Sequence, residues 1–415
     1  MNKHSSLFAP HVDSCINSSG VSHKCYLLKR KIIVALAQEP VMTVSELAAL
    51  MGVSAPTIAK LLNDLIEAHY VQDMGKVETP GGRRPCSFSL VGDSGYFLGV
   101  EVGENCLRFA LANLNSEIIK TSLVENFNPI NSPKTLEKII EEINHTIDSF
   151  LVDRAKVLGV GLILRGRVDS ISGHSYNYLN FNEKPLSQVM SKRLCLRTIV
   201  ENDTRAVAYA QYVTDDMKRN IQNSLFLYLG RGVGVGIIIN GKLYYGKSGF
   251  AGEFGHIPFF DNQIICHCGK KGCLETEASG DALERMFQEE LANGASSILS
   301  EEFATKGHVN LDQIVEAATA DDVLSIEIIG KMGETLGRAL GVLLNIFNPE
   351  AIVVGGVLAN AGDYLMLPLR SALAKYSLSL VNNDSILSVS TLGEMGPVIG
   401  GALLTRNHVL SVEKE

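Results

Sequence analysis

Nowhere in the 415 residues do about eighteen apolar residues follow one another, the length a helix needs to cross a bilayer. The polar first twenty residues lack an apolar signal core, so residues 1–21 read as a disordered lead-in. Of eight cysteines, Cys15, Cys25, Cys86, Cys106 and Cys195 follow no pattern. That argues against a disulfide framework and for reduced thiols in a cytoplasmic protein, with no membrane partner. A strong charge is also lacking. The net of −8 hides a mildly basic stretch at residues 22–90, with eight Lys/Arg against six Asp/Glu, while residues 91–415 hold 28 against 38. A basic head on an acidic body is compatible with phosphate-backbone binding by the head alone.

What is present in that head has helical periodicity. Leu27, Leu28, Ile32, Ile33, Leu36 and Ala37 predict a helix over 26–37, stopped by Pro40. Thr43-Val44-Ser45-Glu46 has the form of a capping box, opening a helix to Met51 that Gly52 ends. Ser54 is placed to cap a third helix reaching about Ala68. Two helices about a short glycine-bearing turn are a helix-turn-helix, and Ala55, Thr57, Lys60 and Asn63 of the third would meet the major groove. Strands over 69–77 and 87–91 flank Thr79-Pro80-Gly81-Gly82-Arg83-Arg84-Pro85. This is a wing whose Arg83 and Arg84 suit a minor groove. The alternative for such a pattern is a helical hairpin for dimerisation with a solvated Arg-rich loop, which the wing downstream disfavours. The head is expected to span 22–92.

From residue 93 the pattern becomes α/β. Three strands (96–102, 107–114, 117–124), a helix (133–154) and a buried strand (157–164) lead into Arg165-Gly166-Arg167. A second set of strands is expected at 225–229, 237–240 and 242–244, about the glycine run 230–236. A meander thus opens each half of the body, suggesting a duplicated fold with a cleft between the halves. His256, Cys266, Cys268 and Cys273 have the ligand types and spacing of a closed, structural zinc site, with His267 as the alternative imidazole. Glu201-Asn202-Asp203, Ala251-Gly252-Glu253-Phe254-Gly255-His256 and Cys273-Leu274-Glu275 supply carboxylates and an amide suited to a polyol.

Those motifs in combination resemble the ROK family of repressors and sugar kinases (repressor, open reading frame, kinase), over essentially the whole chain from about Tyr26. The resemblance implies an N-terminal winged helix-turn-helix followed by a duplicated actin-like, sugar-kinase-like α/β domain of the ribonuclease H type over 93–415. It places sugar contacts at Gly166, Asn177, Asn202, Asp203, Glu253, His256 and Glu275, with Asp203 at the position of the kinase members' base. Winged-helix members resemble repressors of xylose, glucose and N-acetylglucosamine metabolism. The expected partners are therefore an operator duplex, a sugar or sugar derivative, and further copies of the chain in a dimer or tetramer.

Two departures weigh against the kinase branch. Kinase members have Asp-x-Gly-Gly-Thr-Lys where this chain reads Glu101-Val102-Gly103-Glu104-Asn105-Cys106, placing a carboxylate where phosphates lie. Their second phosphate loop, Leu-Gly-Thr-Gly, reads Leu229-Gly230-Arg231-Gly232. A usual proline beside Gly166 is Arg165. The expectation is a sugar-responsive DNA-binding regulator that is not an enzyme. A sugar kinase with an appended DNA-binding domain is the second reading, and a zinc-stapled scaffold for protein partners the third.

Overall fold

A computed structural model describes residues 7–8, 20–76, 85–181 and 183–411. The chain divides into two compact units, Met1–Asp203 with Val398–Glu415, and Thr204–Pro397.

The first unit begins with helix α1 (Gly20–Gln38), strand β1 (Met42–Thr43) and helices α2 (Val44–Met51) and α3 (Ala55–Glu67). Strands β2 (Val71–Lys76) and β3 (Cys86–Leu90) complete a sheet ordered β1-β3-β2. The capping box forms: the Glu46 amide donates to Thr43 Oγ1 at 3.3 Å, and the Thr43 amide to Glu46 Oε2 at 2.7 Å. Gly52 ends α2 at φ 63°, where a side chain would be strained. Ser54 occupies the cap position of α3, yet its hydroxyl bonds the Thr57 hydroxyl at 2.8 Å and takes no backbone amide. Strand β2 starts later than the sequence predicts because His69, at φ 60°, turns the chain off α3.

The lead-in is not wholly detached. Phe8 is buried against Tyr70, ring centroids 5.7 Å apart, and the Tyr26 hydroxyl donates to the Leu7 carbonyl at 3.3 Å. The head also shares its core with residues far along the chain. Ile32, Ile33, Leu36, Ile58 and Leu65 form one cluster with Phe97, Leu114, Val409 and Leu410. Arg30 Nη2 donates to the Val409 carbonyl at 2.9 Å, and Arg406 to the carbonyls of Leu114 (Nε, 2.7 Å) and Ala37 (Nη2, 3.3 Å).

The first unit's large sheet comprises β4 (Tyr96–Val102), β5 (Cys106–Asn113), β6 (Ile118–Glu125), β7 (Val157–Leu164) and, after the short pair β8 (Val168–Asp169) and β9 (His174–Ser175), β10 (Arg197–Asn202). Helices α4 (Pro133–Ser149) and α5 (Leu186–Leu194) connect its strands. Leu151, at φ 54°, ends α4 short of the predicted residue 154. The order is β10-β7-β4-β5-β6, the first three parallel and the last two antiparallel.

The second unit repeats that plan. Helix α6 (Asp203–Thr214) leads to β11 (Ser224–Leu229), β12 (Val233–Ile239) and β13 (Lys242–Leu243), and β14 (Ala351–Gly355) and β15 (Ile386–Val389) follow. Read from its parallel edge the sheet is β15-β14-β11-β12-β13, with the same alternation of parallel and antiparallel pairs. Identical order in two sheets of one chain is a duplicated fold. One expectation needs correction: β12 starts at Val233, inside the glycine run, and not at residue 237. A Cβ on Gly236 would lie 2.2 Å from Ala208 Cβ, and one on Gly234 2.6 Å from Thr204 Oγ1. These glycines are a strand face cleared for α6. Helices α7 (Glu275–Ala278), α8 (Gly280–Ala292), α9 (Ser300–Lys306), α10 (Leu311–Thr319) and α11 (Val323–Phe347) fill the interval before β14.

Candidate functional site

The third helix of the head has two unlike faces. Ile58, Leu61, Leu62 and Leu65 are buried, at the spacing that puts them on one side of a helix. Ala55, Thr57, Lys60 and Asn63 are exposed. Burial on the first side therefore presents the second to solvent as a rigid surface. Arg83 and Arg84 lie outside the described residues.

In the first unit the sugar-site candidates meet at one turn. Gly166 has φ 80°, and a Cβ there would lie about 3.0 Å from Asn177 Cγ, so the turn accepts glycine alone without strain. Asn177 Oδ1 accepts the Arg167 amide at 2.9 Å. Asn202 Nδ2 donates to the Gly166 carbonyl at 3.0 Å and to Asp203 Oδ1 at 2.8 Å. Behind them, buried Glu201 accepts from the Ser170 hydroxyl and the Asn202 amide, each at 2.7 Å. The backbone at Asn202 is thus held by a buried carboxylate. The residue that replaces a proline, Arg165, places Nη1 3.7 Å from Glu104 Oε2. No spacing in the sequence connects that pair.

In the second unit the motif around Glu253 is pressed onto β12: a Cβ on Gly252 would meet the Val235 carbonyl oxygen at 1.9 Å, and one on Gly255 that of Val233 at 2.4 Å. Close approach fixes the backbone from which Glu253 and His256 project. His256, Cys266, Cys268 and Cys273 each offer one ligand atom, all within 4.8 Å of one another. Cys266 Sγ is 3.4 Å from His256 Nδ1, and Cys268 Sγ 3.6 Å from Cys273 Sγ. Amide bonds Cys266 N to Lys270 O and Gly269 N to Cys266 O, each 2.8 Å, fold the intervening knuckle. His267 is not part of the cluster; its ring is 85% exposed and faces Asp281. Burial pushes the Cys266 thiol up to about 12, a cost a cation would offset, since a ligating cysteine is a thiolate. These four side chains could hold a metal ion. The other imidazole nitrogen of His256, Nε2, lies 3.7 Å from Glu253 Oε2. Glu275 Oε1 stands 3.7 Å from Cys266 Sγ, so both second-unit carboxylates border the cluster.

Arg231 is not turned outward as a free cation. Its Nη1 pairs with Asp281 at 3.1 Å and Glu284 at 2.8 Å, while the Gly280 amide donates to Gly230 O at 2.9 Å. The glycine loop is therefore stapled to α8.

Residues 97–408 match the ROK family description, and residues 27–72 match that of a winged helix-turn-helix DNA-binding domain. The chain belongs to the ROK family. It is 27% identical to a xylose repressor of Bacillus spizizenii, covering 89% of this chain and 92% of that protein. A glucokinase of Halalkalibacterium halodurans is 29% identical across 77% of this chain and 97% of its own length. Among solved structures, a ROK family transcriptional regulator described as a homologue of Escherichia coli MLC protein superposes with a TM-score of 0.75 at 27% identity, covering 89% of this chain and 92% of the other. The ROK member described here has the build of a sugar-responsive DNA-binding repressor. No single helix among the described residues is long and apolar enough to cross a membrane.

Proposed function

We propose that this ROK protein represses genes of sugar metabolism by binding an operator duplex as a homodimer or tetramer, and that a sugar effector changes its affinity. The observation that carries the reading is α3: a helix anchored by four buried apolar residues and presenting Ala55, Thr57, Lys60 and Asn63, in a chain whose body has the ROK fold. Helix-turn-helix proteins place such a helix in the major groove, and two-fold dimers read two half-sites. Arg83 and Arg84 are proposed as minor-groove contacts of the wing.

The sugar contacts proposed for the first unit are Gly166, Asn177, Asn202 and Asp203. Those proposed for the second are Glu253, His256 and Glu275. The metal is proposed to be structural zinc. Bonds of about 2.3 Å to sulfur and 2.0–2.1 Å to nitrogen set neighbouring ligand atoms of a tetrahedron roughly 3.5–3.8 Å apart, close to the separations of 3.4 and 3.6 Å between the paired ligand atoms. Four protein ligands leave no open position, so the ion would hold the knuckle and supply no catalytic water.

The protein is proposed not to be an efficient kinase, despite the family's kinase members. Glu104 places a carboxylate at the first phosphate loop, and the Arg231 guanidinium is already paired with Asp281 and Glu284. Phosphoryl transfer depends on holding and neutralising the nucleotide phosphates. The test is selection of bound duplexes from a pool of random fragments, then their electrophoretic shift with and without candidate sugars, beside a coupled kinase assay. A sugar-dependent shift without turnover is expected; turnover in the range of about 1–10³ per second overturns the non-enzyme reading.

A further inference from the structure

The turn Arg165-Gly166-Arg167 carries two guanidinium groups next to the first unit's proposed sugar contacts. Its backbone is fixed by the side chains of those contacts: Asn202 holds the Gly166 carbonyl at 3.0 Å, and Asn177 the Arg167 amide at 2.9 Å. Both arginines are exposed. Arg165 is engaged by Glu104 through a separation of 3.7 Å, with the two side chains 45% and 48% exposed. A pair that long and that wet contributes little, so exchanging Glu104 for another anion costs little. The Arg167 guanidinium has no partner among the described residues.

The nearby carboxylates of Asp169 and Glu201 are committed elsewhere. Asp169 accepts from the Ser172 hydroxyl at 2.6 Å and from the amides of Ile171 and Ser172, while Glu201 accepts from Ser170 and the Asn202 amide. Asp203 accepts from Asn202. Two cations thus spring from an immobilised turn, one weakly paired and one unpaired. A neutral sugar offers them hydroxyl acceptors but no charge to pair with.

We propose that the effector is an anionic sugar, one bearing a carboxylate or a phosphate ester, and that Arg165 and Arg167 hold its anion. The planar guanidinium fork matches both groups through paired, charge-assisted hydrogen bonds. Arg165 leaves Glu104 to do so. The assignment rests on the reading that Gly166, Asn177, Asn202 and Asp203 contact the sugar.

The test is calorimetry on the full chain with matched sets: common aldohexoses, aldopentoses and N-acetylhexosamines, their terminal phosphate esters, the uronic acids, and inorganic phosphate and ATP alone. One anionic member is expected to bind roughly 10–100-fold more tightly than its neutral parent, the scale of hydrogen bonds to charged groups. In the double variant Arg165→Ala/Arg167→Ala, checked for an unchanged melting temperature, that ratio falls to about one. The two sources separate by pH: a phosphate ester, with its second pKa near 6, binds more weakly at pH 5 than at 7.5, and a uronate does not. Equal affinity for neutral and anionic members, no binding of any anionic member, a preference that survives the double variant, or binding of phosphate or ATP as tight as that of the sugar ester overturns the proposal. Asp203→Asn separates the underlying reading. If it leaves every sugar affinity unchanged, the sugar site itself is misplaced; if it removes the binding of neutral sugars while no anion preference exists, only the anion assignment falls.

Discussion

One oxygen of Glu275 accepts the Val233 amide at 3.2 Å, at the first residue of β12. Its other oxygen lies 3.7 Å from Cys266 Sγ and 4.0 Å from His256 Nδ1. A single side chain therefore joins the histidine–cysteine cluster to a strand of the second sheet. We predict about one zinc per chain, lost in Cys268→Ser. Chelation is expected to lower the melting temperature and to speed amide exchange at Val233. Plasma emission analysis and hydrogen exchange report the two effects; metal content unchanged in Cys268→Ser contradicts the ligand set.

DNA affinity should respond differently to two classes of residue in the head. Lys60→Ala is expected to weaken binding to all sequences alike and to reduce the slope of log affinity against log salt by about one. Asn63→Ala, at a position suited to reading a base edge, should instead relax discrimination among sites. Arg83→Ala and Arg84→Ala should weaken binding as minor-groove contacts are lost. Fluorescence anisotropy at several salt concentrations separates these effects, and an unchanged salt slope in Lys60→Ala counts against the phosphate contact.

Sugar binding without efficient turnover should show a clear dependence on Asp203. Asp203→Ala is expected to lose roughly 1.5–3 kcal/mol of sugar affinity, the worth of a hydrogen bond to a charged group. Calorimetry measures it, and an affinity unaffected by the substitution removes Asp203 from the site.

The capping box gives a prediction about stability. Thr43→Ala should destabilise the head by about 0.5–2 kcal/mol, seen as a lower denaturation midpoint. Hydrogen bonds from the Thr43 backbone and then its side chain hold the Glu46 carboxyl below its usual range. A carboxyl depressed in the folded state stabilises above its ordinary pKa and loses that contribution as pH falls through the folded value. The difference between wild type and Glu46→Gln should therefore shrink on acidification.

Much of this was legible because it is local. Thr43 and Glu46 stand three apart, the apolar residues of α3 repeat with helical period, and three cysteines fall within eight positions. The bounds of β7 follow from an unbroken apolar run, and those of β4 from one interrupted only by Glu101. What was illegible depends on partners remote in sequence. Gly234 and Gly236 look like a loop until Thr204 and Ala208 are seen against them. Phe8 sits in a polar stretch, and Tyr70 and Arg30, both remote in sequence, are what it packs against. Arg165 and Glu104 each look like damage to a phosphate or sugar motif; only the fold brings their side chains within 3.7 Å of each other.

The core that the head shares with Val409 and Leu410 sets an order of events during synthesis. Ile32 and Ile58 leave the ribosome several hundred residues before Val409 and Leu410, which close the same cluster. At about 5–20 residues per second, the interval between Ile32 and Val409 is roughly 20–75 s. Throughout it, Phe97 and Leu114 lack part of their apolar cover, and Arg30 lacks the carbonyl of Val409. A chain cut before Val409 consequently carries an unfinished cluster beneath its winged helix, which ties the packing of the reading head to a segment made long after it.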